Sequence, residues 1–159
     1  MIVDLGCGSH KRAAVGVDCV PGPGVDHVIW LGCEPLPFPT ASVAVFLAWD
    51  VLEHIPQAIW RIGPGGPTVH RPRIALLREI HRCLVPGGLF KSATPVADPA
   101  WAQDPTHEAP PWTAQTWDYY CGGMGPLPAQ YGIDFAFALV ARERRGHHLY
   151  VTVQKHPED

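Results

Sequence analysis

The run Ser42–Trp49, SVAVFLAW, is apolar at every position after its first. It is far too short to cross a bilayer and shows no helical alternation of polar and apolar sites, so it reads as a strand. Continuous apolar character suits a parallel strand with both faces covered by other layers. The preceding EPLPFP (Glu34–Pro39) is incompatible with regular structure. Its alternating prolines lack donors and push their predecessors out of the helical region.

Shorter apolar runs punctuated by turns surround this strand. Met1–Leu5, Ala14–Cys19, Val25–Leu31 and Gly88–Pro95 are further strand candidates. Ile133–Glu143 and His148–Lys155 form a closing hairpin across Arg144–His147. Arg73–Leu84 is the clearest helix, with Ile74, Leu77, Ile80 and Leu84 on one face and Arg78, Glu79 and Arg82 outside it. Pro86-Gly87-Gly88 ends it. Residues 51–62 suggest a short helix, 63–72 a loop, 96–112 a proline-rich loop and 113–120 a helix, while 10–15 hold at most a short helix. Strands and helices alternate before the hairpin. The expectation is one domain over 1–159: an α/β fold with an open, mostly parallel sheet, helices on both faces and a C-terminal antiparallel hairpin.

Composition narrows the function classes. Of 159 residues, 47% are apolar and 17% charged, which is globular, and a net charge of −3 argues against general attraction to nucleic acid or membranes. One local bias stands out: Arg61–Arg82 holds five arginines and a single acid, Glu79, which makes it a candidate mobile lid, anion-binding loop or nucleic-acid contact. The plainer reading makes Arg73, Arg78 and Arg82 the solvated face of a helix. Five cysteines, odd in number and never spaced CxxC, argue against a disulfide framework or zinc site and point to a reducing cytoplasm. Asp4 interrupts the stretch where a signal peptide needs apolar residues. The nine histidines show no HxH or HxxxH spacing, so no metal is expected.

In open α/β sheets, ligands bind at the carboxyl ends of strands near the point where strand order reverses. Asp4-Leu5-Gly6-Cys7-Gly8 ends the first strand, and its two glycines let the backbone turn sharply and approach a ligand. Ser9 stands where a dinucleotide loop would carry a third glycine, and no Tyr-x-x-x-Lys is present, which disfavours a nicotinamide oxidoreductase. Asp18, ending the second strand, is placed to accept hydrogen bonds from two ribose hydroxyls. The plain alternative is a loop acid capping the next turn.

DLGCGSHK (4–11), GVD (16–18), PLPFP (35–39), DVLEHI (50–55), EIHRCLVPGGLF (79–90) and DPTH (104–107) together resemble the ordered signatures of class I S-adenosylmethionine-dependent methyltransferases. The resemblance is greatest to small single-domain members and spans about residues 2–107. It implies that Asp4, Gly6, Cys7 and Gly8 surround the methionine part of S-adenosyl-L-methionine, with Lys11 following the loop. Asp18 and its neighbour Cys19 would serve the ribose, Trp30 and Leu31 would flank adenine, and Ala48, Trp49 and Asp50 would face the transferable methyl. S-adenosyl-L-homocysteine would be the product. Two departures accompany it. Trp30-Leu31 replaces the usual Asp-Leu pair, leaving Trp30 either to stack on adenine or to fill the core. Helices usually precede the first strand in this family, whereas here the chain begins at that strand, so an open site or one covered by a partner protein or second copy is expected.

Methyl transfer from a sulfonium can proceed by alignment alone, although a hydroxyl acceptor gains from a base. The candidates are Glu53, His54, Asp104 and His107, of which His107 is favoured because histidine titrates near neutrality. Each has a structural alternative. Asp104 and Thr106 would build a turn that His107 caps, Glu53 would favour a helix dipole, and His54 would pack or cap. The expected activity is methyl transfer to a small molecule or, through Arg61–Arg82, to nucleic acid. The alternative is a non-catalytic cofactor-binding subunit or sensor.

Overall fold

The computed structural model describes residues 1–97 and 101–159, so part of the predicted 96–112 loop, at 98–100, lies outside the described residues. Among the described residues, nine strands form two sheets: β1 (Ile2–Leu5), β2 (Val15–Asp18), β3 (His27–Val28), β4 (Val43–Trp49), β5 (Ile59–Gly63), β6 (Gly66–His70), β7 (Leu84–Pro95), β8 (Phe137–Arg145) and β9 (His148–Lys155). The helices are α1 (Pro72–Cys83), α2 (Ala114–Asp118) and α3 (Leu127–Gln130), with 3-10 turns at Leu52–His54 and Trp101–Gln103.

Seven strands make the main sheet, in the order β3-β2-β1-β4-β7-β9-β8. The first five run parallel; β9 is antiparallel to β7 and β8 to β9. The order steps outward from β1 through β2 to β3, then resumes on the other side of β1 with β4. That reversal leaves a crevice at the carboxyl ends of β1 and β4. The open, mostly parallel sheet with a closing antiparallel hairpin is therefore as expected.

The layers are uneven. Register places Val3, Leu5, Phe46, Ala48, Phe90, Leu149, Val151 and Val153 on one face, all buried. Against that face lie Leu76, Leu77 and Ile80 of α1, Trp117 of α2, and Trp112, whose indole N–H donates to the Leu52 carbonyl (2.8 Å). Trp117 sits 6.0 Å from Phe90 and 5.3 Å from Trp112, ring to ring. The opposite face carries Ile2, Val45, Leu47, Trp49, Leu89 and Tyr150, each half-buried or exposed. The apolar run of β4 predicts cover on both sides; Phe46 and Ala48 are covered, Leu47 and Trp49 only partly.

Several local expectations are corrected. Residues 10–14 form bends instead of a helix. The predicted third strand shrinks to two residues because Trp30 to Glu34 turns back on itself, with the Cys33 and Glu34 N–H groups donating to the Trp30 carbonyl. The expected helix over 51–62 is one 3-10 turn. Its second half and the expected loop pair instead as the hairpin β5–β6, closed by Gly63–Gly66. The β-branched and aromatic residues of Ile59-Trp60-Arg61-Ile62 suit a strand, and Pro56 stops the preceding turn from extending.

Arg73 is likewise corrected. It is buried, not solvated, and donates to the carbonyls of Ile55 (2.7 Å), Pro110 (2.7 Å) and Glu108 (2.8 Å) beneath the Trp112 ring.

Candidate functional site

The turn after β1 is held from both sides. Gly6 and Cys7 N–H groups donate to the Val17 carbonyl (2.7 and 3.2 Å), tying the loop to the end of β2. Gly6 has φ +63, and a Cβ there would stand 2.2 Å from Val51 Cγ2, so only glycine lets the segment after β4 close onto the loop. Gly8 has φ +54, and a Cβ there would meet nothing within 4 Å. This glycine faces open space, as a backbone that must admit a ligand should.

Asp18 completes the loop. Its Oδ2 accepts from Gly8 N–H (2.9 Å) and its Oδ1 from Val20 N–H (3.0 Å). A carboxylate has about four acceptor positions, so capacity remains for hydroxyl donors. Asp4 is fully buried and accepts from Arg12 N–H (2.6 Å), which anchors the loop's far end. Burial pushes its carboxyl above the usual range, opposed by that bond.

The remaining loop residues are placed as follows. Cys7 is buried with Sγ on the Gly24 carbonyl (3.4 Å), and burial together with Asp18 and Asp4 raises its thiol pKa. Cys19 is half-buried beside Asp18. Lys11 is engaged in an ion pair with Asp26 (2.7 Å). Leu31 is buried, whereas Trp30 is 63% exposed, so the core-filling alternative for Trp30 is excluded. Its N–H donates to Glu34 Oε2 (2.8 Å), bringing an acid to this corner that sequence reasoning missed.

At the end of β4, Trp49 lies on the less covered face, 6.3 Å from the Tyr150 ring. Asp50 adopts φ +54, unusual for a residue with a side chain, and its Oδ1 lies 2.8 Å from His148 Nε2. His148 was not identified by sequence reasoning. The signal was the hairpin itself: antiparallel return of β9 sets His148 opposite Pro95, at the carboxyl end of β7.

The four candidate bases fall together. Asp104 Oδ1 accepts from the Thr106 N–H (2.8 Å) and hydroxyl (2.6 Å), which is the structural turn anticipated for DPTH. That turn carries His107 to His54, ring centroids 5.1 Å apart, and Glu108 N–H donates to the Glu53 carbonyl (2.8 Å). Glu53 itself is 1% exposed, and burial raises its carboxyl pKa.

The basic segment is mostly engaged. Arg73 is buried, Arg78 pairs with Asp134 (3.0 Å), and Arg82 pairs with Glu79 (2.7 Å). A cavity of about 490 Å³, bordered by Arg71, Arg73, Ile74, Thr113, Tyr119 and Tyr131, opens beside the start of α1 and shares no residue with the glycine loop. Among the described residues, no helix is long and apolar enough to cross a membrane.

Comparison with solved structures interprets this geometry. An S-adenosylmethionine-dependent methyltransferase from Mesorhizobium loti superposes with TM-score 0.56 at 16% identity, over 96% of this chain and 90% of that one. The fold is that of the S-adenosylmethionine-dependent methyltransferases. The Burkholderia thailandensis 1,6-didemethyltoxoflavin-N1-methyltransferase, solved with 1,6-didemethyltoxoflavin and S-adenosylhomocysteine, matches at TM-score 0.58 and 16% identity over 98% and 70%. A proposed methyltransferase solved in complex with the Haloferax volcanii Trm112 methyltransferase activator matches at TM-score 0.61 and 13% identity over 98% and 81%. At these identities the likeness is one of fold. No family model and no curated protein matches the sequence.

Proposed function

We propose that this chain binds S-adenosyl-L-methionine at the carboxyl edge of β1 and β2 and transfers its methyl group to a small-molecule acceptor. The observation that carries the reading is the glycine loop fastened through Gly8 N–H to Asp18, beside the reversal of strand order. The residues fit the cofactor: Gly8 fronts open space, and Asp18 keeps acceptor capacity for ribose hydroxyls.

The bound sulfonium supplies an electrophilic methyl, and everything else is the protein's work. Asp4 and Asp18 hold the loop's two ends, Gly6 lets Val51 close against it, and Asp50 with His148 defines the floor at β4. The exposed Trp30 indole offers a flat face for adenine, with Leu31 buried next to it in sequence and Glu34 at its backbone N–H. Lys11 keeps the loop closed through Asp26. His107 and His54 serve as proton acceptors for a hydroxyl or ammonium acceptor.

A small acceptor is favoured over nucleic acid because three of the five arginines between 61 and 82 are spent on internal contacts. The cavity beside α1 has the size of a small-molecule site. A neighbour of this fold was solved with an activator protein, so a partner subunit is included in the proposal. The test measures S-adenosylhomocysteine release from S-adenosylmethionine over panels of small molecules, nucleic acids and proteins. Release with small molecules is expected. Tight cofactor binding without release on any panel would instead assign the chain as a non-catalytic binding subunit.

A further inference from the structure

Glu53 and His54 leave β4 on a single 3-10 turn, and the turn at 104–107 lays His107 onto them. One carboxylate oxygen and one nitrogen from each imidazole all lie within 4.8 Å of one another. The two histidines are 53 positions apart in the chain, which is why linear spacing gave no sign of the cluster.

Each ring has one nitrogen already assigned. His54 Nδ1 lies 3.1 Å from the Thr106 carbonyl and His107 Nδ1 lies 3.0 Å from the Trp101 carbonyl. A carbonyl only accepts, so both Nδ1 atoms carry protons, and in the neutral rings both Nε2 atoms keep their lone pairs. Backbone carbonyls on the far nitrogen are the usual support of a metal-binding histidine. The second observation is Glu53. Both of its carboxylate oxygens are buried and neither has a hydrogen-bond partner among the described residues. A buried carboxylate with no hydrogen-bond partner, within 4.8 Å of a nitrogen of each of two imidazoles, is an expensive arrangement unless something positive sits between them.

We propose that Glu53, His54 and His107 bind one divalent first-row metal ion of the zinc class, with a fourth position left for water or an acceptor oxygen. Two imidazoles and one carboxylate are a known donor set for an open, catalytic-type zinc centre. Ligands about 2.0–2.1 Å from zinc stand roughly 3.4 Å apart, so the present spread closes with small side-chain rotations. Asp104 Oδ2, 3.6 Å from His107 Nε2, supplies a further oxygen at the rim. Val51, which closes onto Gly6, precedes the trio by two residues, so the ion would neighbour the cofactor loop. In the methyl-transfer reading the ion would occupy both Nε2 lone pairs, so with metal bound the ion, and not the imidazoles, would activate an acceptor hydroxyl by lowering its pKa; that use rests on the reading, but the site itself does not.

The experiment is a competitive titration of chelator-stripped protein with Zn²⁺, without cofactor, with Co²⁺ absorption as a second probe. One equivalent per chain is expected. His54→Ala and His107→Ala should each weaken affinity at least a hundredfold and Glu53→Gln at least tenfold, while the distant His156→Ala changes nothing. Circular dichroism in chelator establishes that each variant is folded, and His107→Ala decides if Glu53→Gln is not. Folded wild type that takes up no zinc, or binds it no better than His54→Ala and His107→Ala, would overturn the site. Neither result depends on methyl transfer, so failure of one proposal is distinguishable from failure of the other.

Discussion

Gly6 links two strands through a single missing atom. Its φ of +63 and the 2.2 Å approach of Val51 both exclude a side chain, so Gly6→Ala should cost about 2–4 kcal/mol in urea unfolding and abolish cofactor binding. Because the clash is with Val51, Gly6→Ala with Val51→Ala should be less destabilised than the sum of the two single changes. Additive losses would mean that the contact does not govern the loop. Arg73 is the complementary case, a buried cation holding three carbonyls. Arg73→Ala should cost about 3–5 kcal/mol, and Arg73→Lys should recover little, since an ammonium lacks the planar fork. The glycine turn after β1 and the acid ending β2 were legible in the sequence because a turn and a strand end are local features. Arg73 was misread because helical periodicity assigns a face and cannot foresee distant carbonyls converging on it. Glu53, His54 and His107 were named singly as candidates, but their meeting, like the pairing of His148 with Asp50, was not foreseen for the same reason: the fold, not linear spacing, brings them together.

Among the elements, α1 and the proline phrase before β4 are joined by charge. Arg82 donates to the Phe38 (3.0 Å) and Leu36 (3.2 Å) carbonyls while Glu79 accepts from Arg82 and from Leu36 N–H (2.9 Å). The Arg82 hydrogen bond holds the Glu79 carboxyl below its usual range, against a smaller opposing effect of burial. A depressed carboxylate pKa adds stability that is complete above the unfolded value, near 4.3, and is lost as pH falls through the lower folded value. The thermal midpoint of Glu79→Gln should therefore lie below wild type at pH 7, the gap closing below about pH 4. A gap as wide at pH 3 as at pH 7 would contradict this. The β5–β6 hairpin behaves differently. Ile62 is 92% exposed and Trp60 70%, so Ile62→Ser should shift unfolding by no more than about 0.5 kcal/mol. The hairpin escaped sequence reading because a short run of strand-forming residues beside glycines reads equally as helix and loop.

For the molecule as a whole, the core lies on one side of the sheet. Phe46 and Leu47 are neighbours in β4 facing opposite ways, the first fully buried and the second only partly. Phe46→Ala should cost about 3–5 kcal/mol and Leu47→Ala clearly less, about 1–2 kcal/mol, by denaturant titration. Equal costs would mean that the second face is covered as fully as the first. The open, mostly parallel sheet and the terminal hairpin were readable because apolar runs alternated with turn residues; the order of the strands was not. The uneven layering was not, since an apolar residue reports the wish to be buried and not what does the burying. The methyl-transfer reading rests finally on the glycine loop and Asp18. Calorimetric titration of S-adenosylhomocysteine into wild type and Asp18→Ala tests it most directly. One equivalent bound by wild type, weakened at least tenfold in a folded Asp18→Ala, is the expected result; a folded wild type that binds neither S-adenosylhomocysteine nor S-adenosylmethionine would contradict it.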